Sequence, residues 1–357
     1  MRVYNFAAGP STLPLEVLKK AQAEFLDFAG TGMSVTEISH RDKAYEAVVK
    51  EAEALTRELL NVPDDYAVIF VQGGASTQFA AIPLNLMHNG VADYIVTGNF
   101  AKKAWQEGQI YGVANKIGDS SDKTYTYIPD VDKLNYTEGA DYVHITSNNT
   151  IFGSRYSKFP KCKAPLVADM SSEIFSREVN VADFGVIYAG AQKNLAPAGV
   201  TIVIAKRSLI ENPLKICPTM LKWKVQDENG SLYNTPPAFS IYMANLVLKN
   251  LKEKGGVKAM REQNDYKAKL LYDFIDNSKL YKNNVVPEFR SVMNVPFVTG
   301  SEELDAKFVA EAKKAGLVSL KGHRIVGGMR ASIYNAMPVE GVKALIEFMK
   351  KFEKENA

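Results

Sequence analysis

From residue 66 onward the chain alternates short, continuously apolar runs with segments whose apolar residues recur at helical spacing. Tyr66-Ala67-Val68-Ile69-Phe70-Val71 reads as a buried strand. It runs into Gly73-Gly74-Ala75-Ser76-Thr77, after which Phe79, Ile82 and Leu86 fall on one face of a helix. Residues 93–98 predict a second strand, followed by a helical pattern through Trp105 and Ile110. Further strands are predicted at 142–146, 165–168, 186–189 and 200–205. Strands without polar alternation are buried on both faces, so the pattern predicts an α/β fold. Its core is a mainly parallel sheet flanked by helices. In such sheets ligands bind beyond the carboxyl ends of the strands, and candidate chemistry is sought there.

The rhythm changes near Gly255. A long helical pattern (257–275) precedes a strand within 291–297, a helix around 304–315, short strands near 317–320 and 330–334, and a terminal helix from Pro338. This predicts a large domain at 1–254 and a smaller α+β domain at 255–357, with the Gly255-Gly256 pair at the boundary. The N-terminal segment 1–15 is a candidate to pack on the small domain. No repeat or low-complexity stretch interrupts the pattern.

Composition narrows the function classes. At about 150 residues per domain, a chain of 357 residues fits two domains. With 46% hydrophobic and 23% charged residues it is no disordered chain. The formal charge is +3 and no Lys/Arg-rich run offers a phosphate-tracking stripe, so a nucleic-acid partner is not expected. Cys162 and Cys217 form no CxxC pair, and His40, His88, His144 and His323 show no HxxxH spacing. Neither a disulfide framework nor a metal site is therefore expected. The start, Met1 to Phe6, lacks the apolar region of a signal peptide. The longest apolar stretches fall far below the about 20 residues of a membrane span. The expected compartment is the cytoplasm, with no membrane partner.

Four features meet at the predicted strand ends. Gly73 to Thr77, between strand and helix, is either a phosphate cradle of free helix N–H groups or a tight turn capped by Ser76 or Thr77. It matches neither GxGxxG nor GxxxxGK[ST]. Asp169, ending its strand, is a helix cap or a functional acid. Lys193 follows a strand, where a solvated lysine is the ordinary case. Its neighbours Gly190, Ala191, Leu195 and Ala196 are small or apolar, which would desolvate the amine and suit a nucleophile. Phe100 is either core or a surface for a ligand ring. Together an amine, an acid, an aromatic face and an anion cradle answer the needs of one cofactor, pyridoxal 5′-phosphate.

At these residues the chain resembles the phosphoserine aminotransferase family, fold-type-I pyridoxal-phosphate enzymes among the class V aminotransferases. The resemblance covers essentially the whole chain. It begins at Asn5-Phe6-Ala7-Ala8-Gly9-Pro10 and continues through Glu37-Ile38-Ser39-His40-Arg41. Its most specific stretches are residues 188–194, Tyr233-Asn234-Thr235-Pro236-Pro237, and residues 321–335 with His323, Arg324 and Arg330.

The resemblance implies a seven-stranded-type sheet and one cofactor per subunit, held by Lys193 as a Schiff base. Gln192 would contact the cofactor phosphate, Asp169 the pyridine nitrogen and Thr150 the ring substituents. Ala75 and Ser76 would bind the phosphate through the helix N-terminus, and Phe100 would stack on the ring. Asn234 and Thr235 would reach the phosphate from the neighbouring subunit of a homodimer. His40, Arg41, His323, Arg324 and Arg330 would grip anionic substrates. Two positions depart from the family pattern: many members carry tryptophan where Phe100 stands, and some carry arginine where Ser76 stands.

The implied reaction moves the amino group of L-glutamate to 3-phosphohydroxypyruvate in L-serine biosynthesis. Activity on the phosphorylated 4-carbon keto acid of pyridoxine synthesis is left open. Another class V enzyme, such as a cysteine desulfurase or an alanine–glyoxylate aminotransferase, is the alternative within the same chemistry. A nicotinamide-dependent oxidoreductase has only the βαβ alternation in its favour, and a non-catalytic binding protein would have no need of the lysine, acid and cradle together.

Overall fold

A computed structural model describes residues 2–356. Seven strands form the central sheet: β1 (Tyr66–Val71), β2 (Val91–Val96), β3 (Val113–Asp119), β4 (Val143–Thr146), β5 (Leu166–Asp169), β6 (Val186–Gly190) and β7 (Thr201–Lys206). Their spatial order is β1-β7-β6-β5-β4-β2-β3. Only β7 runs antiparallel to its neighbours, so the sheet is mainly parallel, as the apolar runs predict. In register, Thr146 lies beside Asp169 and Asp169 beside Tyr188. The carboxyl ends of β4, β5 and β6 therefore share one rim.

Helices cover both faces. On one side α1 (Leu15–Glu24), α2 (Lys43–Leu60) and α5 (Ala238–Glu253) pack with Val68, Phe70, Ile145, Ala168, Ile187 and Ile204. On the other, α3 (Gly74–Leu86) and α4 (Asn99–Gly108) cover Ile69, Tyr94, Val167, Tyr188 and Val203. Successive strand residues alternate between two buried layers, which is why the strands carry no polar alternation.

Two elements differ from the pattern reading. The helix through Trp105 stops at Gly108 and does not include Ile110, which is 69% exposed. Gly108 lies against the Tyr94 hydroxyl, where a Cβ would stand 2.3 Å away. The strand β3 carries Asn115, Lys116 and Asp119 at partly exposed positions. As an edge strand it keeps one side open and lacks the continuous apolar run of its neighbours.

A second core surrounds the antiparallel pair β8 (Asn294–Phe297) and β9 (Met329–Ser332). Met293, Val295, Phe297, Phe308, Ile333 and Leu345 meet there beneath α7 (Glu302–Lys314) and α8 (Val339–Asn356). The N-terminal Tyr4–Asn5 pairs in parallel with Leu317–Val318, and Phe6 is buried in this core. The helix α6 (Gly256–Asn277) serves both cores, with Val257 and Met260 in the first and Leu271 and Ile275 in the second. No helix among the described residues is long and apolar enough to cross a membrane.

Candidate active site

Lys193 sits in the turn after β6. The Leu195 and Ala196 N–H groups donate to the Ala191 carbonyl at 3.1 and 2.8 Å, closing the turn. From the other side the N-terminal segment holds it. The Ser11 N–H donates to the Gln192 carbonyl at 3.0 Å, and the Ser11 hydroxyl to the Lys193 carbonyl. The side chain is 9% exposed, and its amine donates to Thr150 Oγ1 at 2.7 Å. The Phe100 ring centroid is 5.4 Å from Nζ. Desolvation drives the amine down to about 8; nearby Asp169 opposes this and Arg330 reinforces it. The neutral fraction this leaves near neutral pH suits a nucleophile or base.

Thr150 and Phe100 reach the amine because two loops approach closely. Gly98, the residue before α4, packs against the turn after β4, where a Cβ would stand 2.4 Å from Asn149 Oδ1. Phe100, in the first turn of α4, thereby comes to the rim that holds Thr150. Trp105 faces elsewhere, donating its indole N–H to the Ala114 carbonyl of β3 at 2.9 Å.

Asp169 ends β5 as a buried carboxyl. Desolvation raises its pKa, and the Ser171 hydroxyl, the Lys193 charge and the Ser171 N–H pull it back. The Ser171 N–H donates to Oδ1 at 2.9 Å. The Gly190 N–H donates to Ser171 Oγ at 3.0 Å, which leaves the hydroxyl hydrogen for the carboxylate. Sequence reasoning missed Ser171. Its signal was its place two residues past a strand-ending acid, where an Asx-type turn forms. Further along the same sheet face, His144 Nε2 lies 2.9 Å from the Tyr188 hydroxyl, and its ring stacks on Tyr94 at 5.2 Å. Desolvation holds His144 at about 3, so it is neutral.

The anion cradle lies where β1 meets α3. Gly73 and Gly74 take φ of 93° and 67°. The Gly73 position has no room for a side chain, since a Cβ would stand 2.0 Å from Thr77 Oγ1. The first-turn N–H groups of α3, including those of Ala75 and Ser76, point out of the helix start without intrahelical acceptors. Gln192 is half-buried on the turn that carries Lys193, and a Cβ on Gly190 would stand 2.7 Å from its Oε1. Gln72 Nε2 donates to the Thr235 carbonyl at 3.0 Å. A cavity of about 340 Å³ lies between Gly73, Thr77, Asn234 and Pro236.

Above the amine stands a cationic rim. Arg330, on β9, donates from Nη1 to the Thr150 carbonyl at 3.1 Å, and desolvation lowers its pKa. His323 is half-buried; desolvation, then Arg330, Arg324 and Lys103, lower its pKa. The loop is cinched by the Gly322 N–H donating to the Gly328 carbonyl at 2.8 Å. Among the described residues, no hydrogen bond or ion pair joins His40, Arg41, Asn234 or Thr235 of this chain to Lys193.

The model of the family described as aminotransferase class-V matches residues 3–345. Phosphoserine aminotransferase of Bacillus cereus is 56% identical, covering 99% of this chain and 99% of its own. That of Halalkalibacterium halodurans is 52% identical over 98% of each chain. The solved phosphoserine aminotransferase of Bacillus circulans subsp. alkalophilus superposes with a TM-score of 0.98, at 48% identity over 100% of this chain and 99% of that one. The chain belongs to the phosphoserine aminotransferase family of class-V aminotransferases.

A phosphoserine aminotransferase from Trichomonas vaginalis with pyridoxal phosphate bound has a TM-score of 0.94, at 41% identity over 98% of this chain and 100% of its own. Alanine–glyoxylate aminotransferase of Nostoc sp., at 15% identity over 99% of this chain and 96% of its own and a TM-score of 0.76, shares the fold alone. The family's cofactor is pyridoxal phosphate, and the residues here fit it. A buried amine of lowered pKa suits an aldehyde, the buried Asp169 suits a protonated ring nitrogen, and the start of α3 suits a phosphate.

Proposed function

We propose that this protein transfers the amino group of L-glutamate to 3-phosphohydroxypyruvate, giving 2-oxoglutarate and O-phospho-L-serine for L-serine synthesis in the cytoplasm. The observation that carries this reading is the desolvated Lys193 amine, seated between Thr150 and Phe100 beneath Arg330, His323 and Arg324. Donor and acceptor each carry two anionic groups, and a cationic rim over a nucleophilic amine is what such pairs require.

When bound, pyridoxal phosphate supplies an aldehyde for amines and a ring that accepts electrons from the substrate Cα. Lys193 would hold it through Nζ, and that Nζ, when free and neutral, would take the proton from the substrate Cα. Asp169, hydrogen-bonded by Ser171, would hold the proton on the ring nitrogen. A charge-assisted hydrogen bond of that kind contributes about 1.5–3 kcal/mol. Thr150 orients the amine, and Arg330 meets the α-carboxylate that both substrates share with its planar guanidinium.

Segments carrying the remaining predicted residues bear exposed apolar groups: Leu26 is 81% and Ile216 71% exposed, and Met33, Met220 and Tyr233 are exposed as well. Burial of this surface against a second copy supports a homodimer, with Asn234 and Thr235 reaching the neighbouring cofactor phosphate and His40 and Arg41 the neighbouring substrate. A desulfurase reading is disfavoured by the thiols. Desolvation pushes Cys162 up to about 11 and raises Cys217, leaving both protonated.

The deciding experiment is a coupled assay with glutamate and 3-phosphohydroxypyruvate, run beside hydroxypyruvate and the phosphorylated 4-carbon keto acid. A preference of about 100-fold or more for a phosphorylated acceptor is expected, as a charged group matched by several cations is lost in the plain acid. Equal use of hydroxypyruvate overturns the reading.

A further inference from the structure

One cation near the amine is not among the residues that the resemblance implies. Lys103 lies three residues after Phe100 on α4, and residues at that spacing share a helix face. Its Nζ is 5.9 Å from the Phe100 ring centroid, the same ring that has the Lys193 amine at 5.4 Å. Lys103 is exposed whereas Lys193 is buried, so one ring has both an exposed and a buried amine near it. Its charge also reaches His323, joining those of Arg330 and Arg324. The helix α4, the 321–328 loop and β9 thus bring three cationic side chains, Lys103, Arg324 and Arg330, to one mouth beside the His323 imidazole.

Two further observations bear on the charge at this mouth. Among the described residues, Lys103, Arg324 and Arg330 form no ion pair with a protein carboxylate. The first turn of α4 carries no acid, and Lys102 and Lys103 follow directly, against the preference of a helix start for negative charge. Across the site the anion cradle, Gly73 to Thr77, carries no charged side chain.

We propose that Lys103 is a specificity-determining residue that meets the distal phosphate of the acceptor, while Arg330 holds the α-carboxylate. This assignment deepens the function proposed above and rests on the acceptor being phosphorylated. Lys103 takes no part in moving protons. Its ammonium selects for charge at the end of the substrate away from the reacting carbon, and arginine at the same place can do the same.

The test compares wild type with Lys103→Gln, Lys103→Arg and the neighbouring exposed Lys102→Gln as loaded enzymes. Lys103→Gln is expected to lower kcat/KM for 3-phosphohydroxypyruvate about ten-fold or more through KM, leaving that for hydroxypyruvate within about two-fold. L-Glutamate, with one charge fewer at its distal end, loses less. Lys103→Arg keeps most of the selectivity, and Lys102→Gln keeps all of it. A readout without turnover is calorimetric titration of inorganic phosphate into the holoenzyme, whose affinity falls in Lys103→Gln alone. Equal losses for both acceptors, or selectivity and phosphate affinity that survive Lys103→Gln, overturn the assignment. A wild-type enzyme indifferent to phosphorylation instead removes the proposed function, and the assignment with it.

Discussion

The Lys193 amine donates to the Thr150 hydroxyl at 2.7 Å, and the carbonyl of the same threonine accepts the Arg330 guanidinium at 3.1 Å. The proposed cofactor anchor and the proposed grip on the substrate carboxylate are thus positioned by one residue, through separate atoms. Thr150→Val keeps the shape and the carbonyl while removing the hydroxyl. It is expected to lower kcat by about five- to ten-fold, the worth of one hydrogen bond, with KM for either substrate little changed. Steady-state kinetics with both substrates checks this, and a KM rise with constant kcat would contradict it.

Burial of Lys193 has a consequence for pH. Desolvation lowers the amine from 10.5 to about 8 in the folded chain. Between those values the unfolded chain binds the extra proton, so the stability of cofactor-free protein rises with pH across that window. The penalty of the buried ammonium is complete below about pH 8. Cofactor-free Lys193→Met is therefore expected to exceed cofactor-free wild type in stability by on the order of 3 kcal/mol at pH 7, the gap closing by about pH 10.5. Denaturant melts at both pH values measure it. In parallel, the rate of cofactor capture by wild type should rise with pH around a midpoint near 8.

Only parts of the site are legible in the sequence. The runs Tyr66–Val71 and Val186–Gly190 are buried on both sides, so their apolarity marks them without knowledge of partners. Lys193 and Asp169 stand out because a charged residue ends such a run. The edge strand β3 does not, since its open side accepts Asn115 and Lys116. Nor does the reversed direction of β7, whose neighbours β1 and β6 bury it as a parallel strand would be buried. Ser171, and the pairing of His144 with Tyr188, depend on which strands lie side by side, a tertiary fact that no local pattern carries. The same is true of Lys103, which by sequence is one of two lysines on an amphipathic helix.

The rim loop offers a test of geometry without charge. A Cβ on Gly322 would stand 1.9 Å from the Gly327 carbonyl oxygen, and the contact is backbone, which cannot rotate away. Gly322→Ala is expected to open the loop and displace His323 and Arg324 while leaving Lys193, Thr150 and the cradle in place. KM for both substrates should rise about ten-fold or more, as misplaced cations lose their charge-assisted bonds. Cofactor affinity, followed by absorbance during dialysis, should stay within about two-fold, because none of the cradle residues lies on this loop. Loss of cofactor in step with loss of substrate binding would show that the loop supports the whole site.

The proposed homodimer makes a prediction that no single-chain site can satisfy. If Asn234 and Thr235 serve the neighbouring cofactor, a Lys193→Ala chain still offers intact Asn234 and Thr235 to its partner. A chain carrying Asn234→Ala and Thr235→Ala still offers an intact Lys193. Each homodimer is crippled, yet a mixed dimer assembles one complete site from the good halves of both. Random exchange in an equal mixture makes half of the dimers mixed, with one working site in two, so about one quarter of wild-type activity should return. Dissociating and reassociating the two purified variants together, then assaying against each alone, measures this. Activity that stays at the sum of the two separate variants would place Asn234 and Thr235 at their own chain's cradle, beside Gln72, whose amide already holds the Thr235 carbonyl at 3.0 Å.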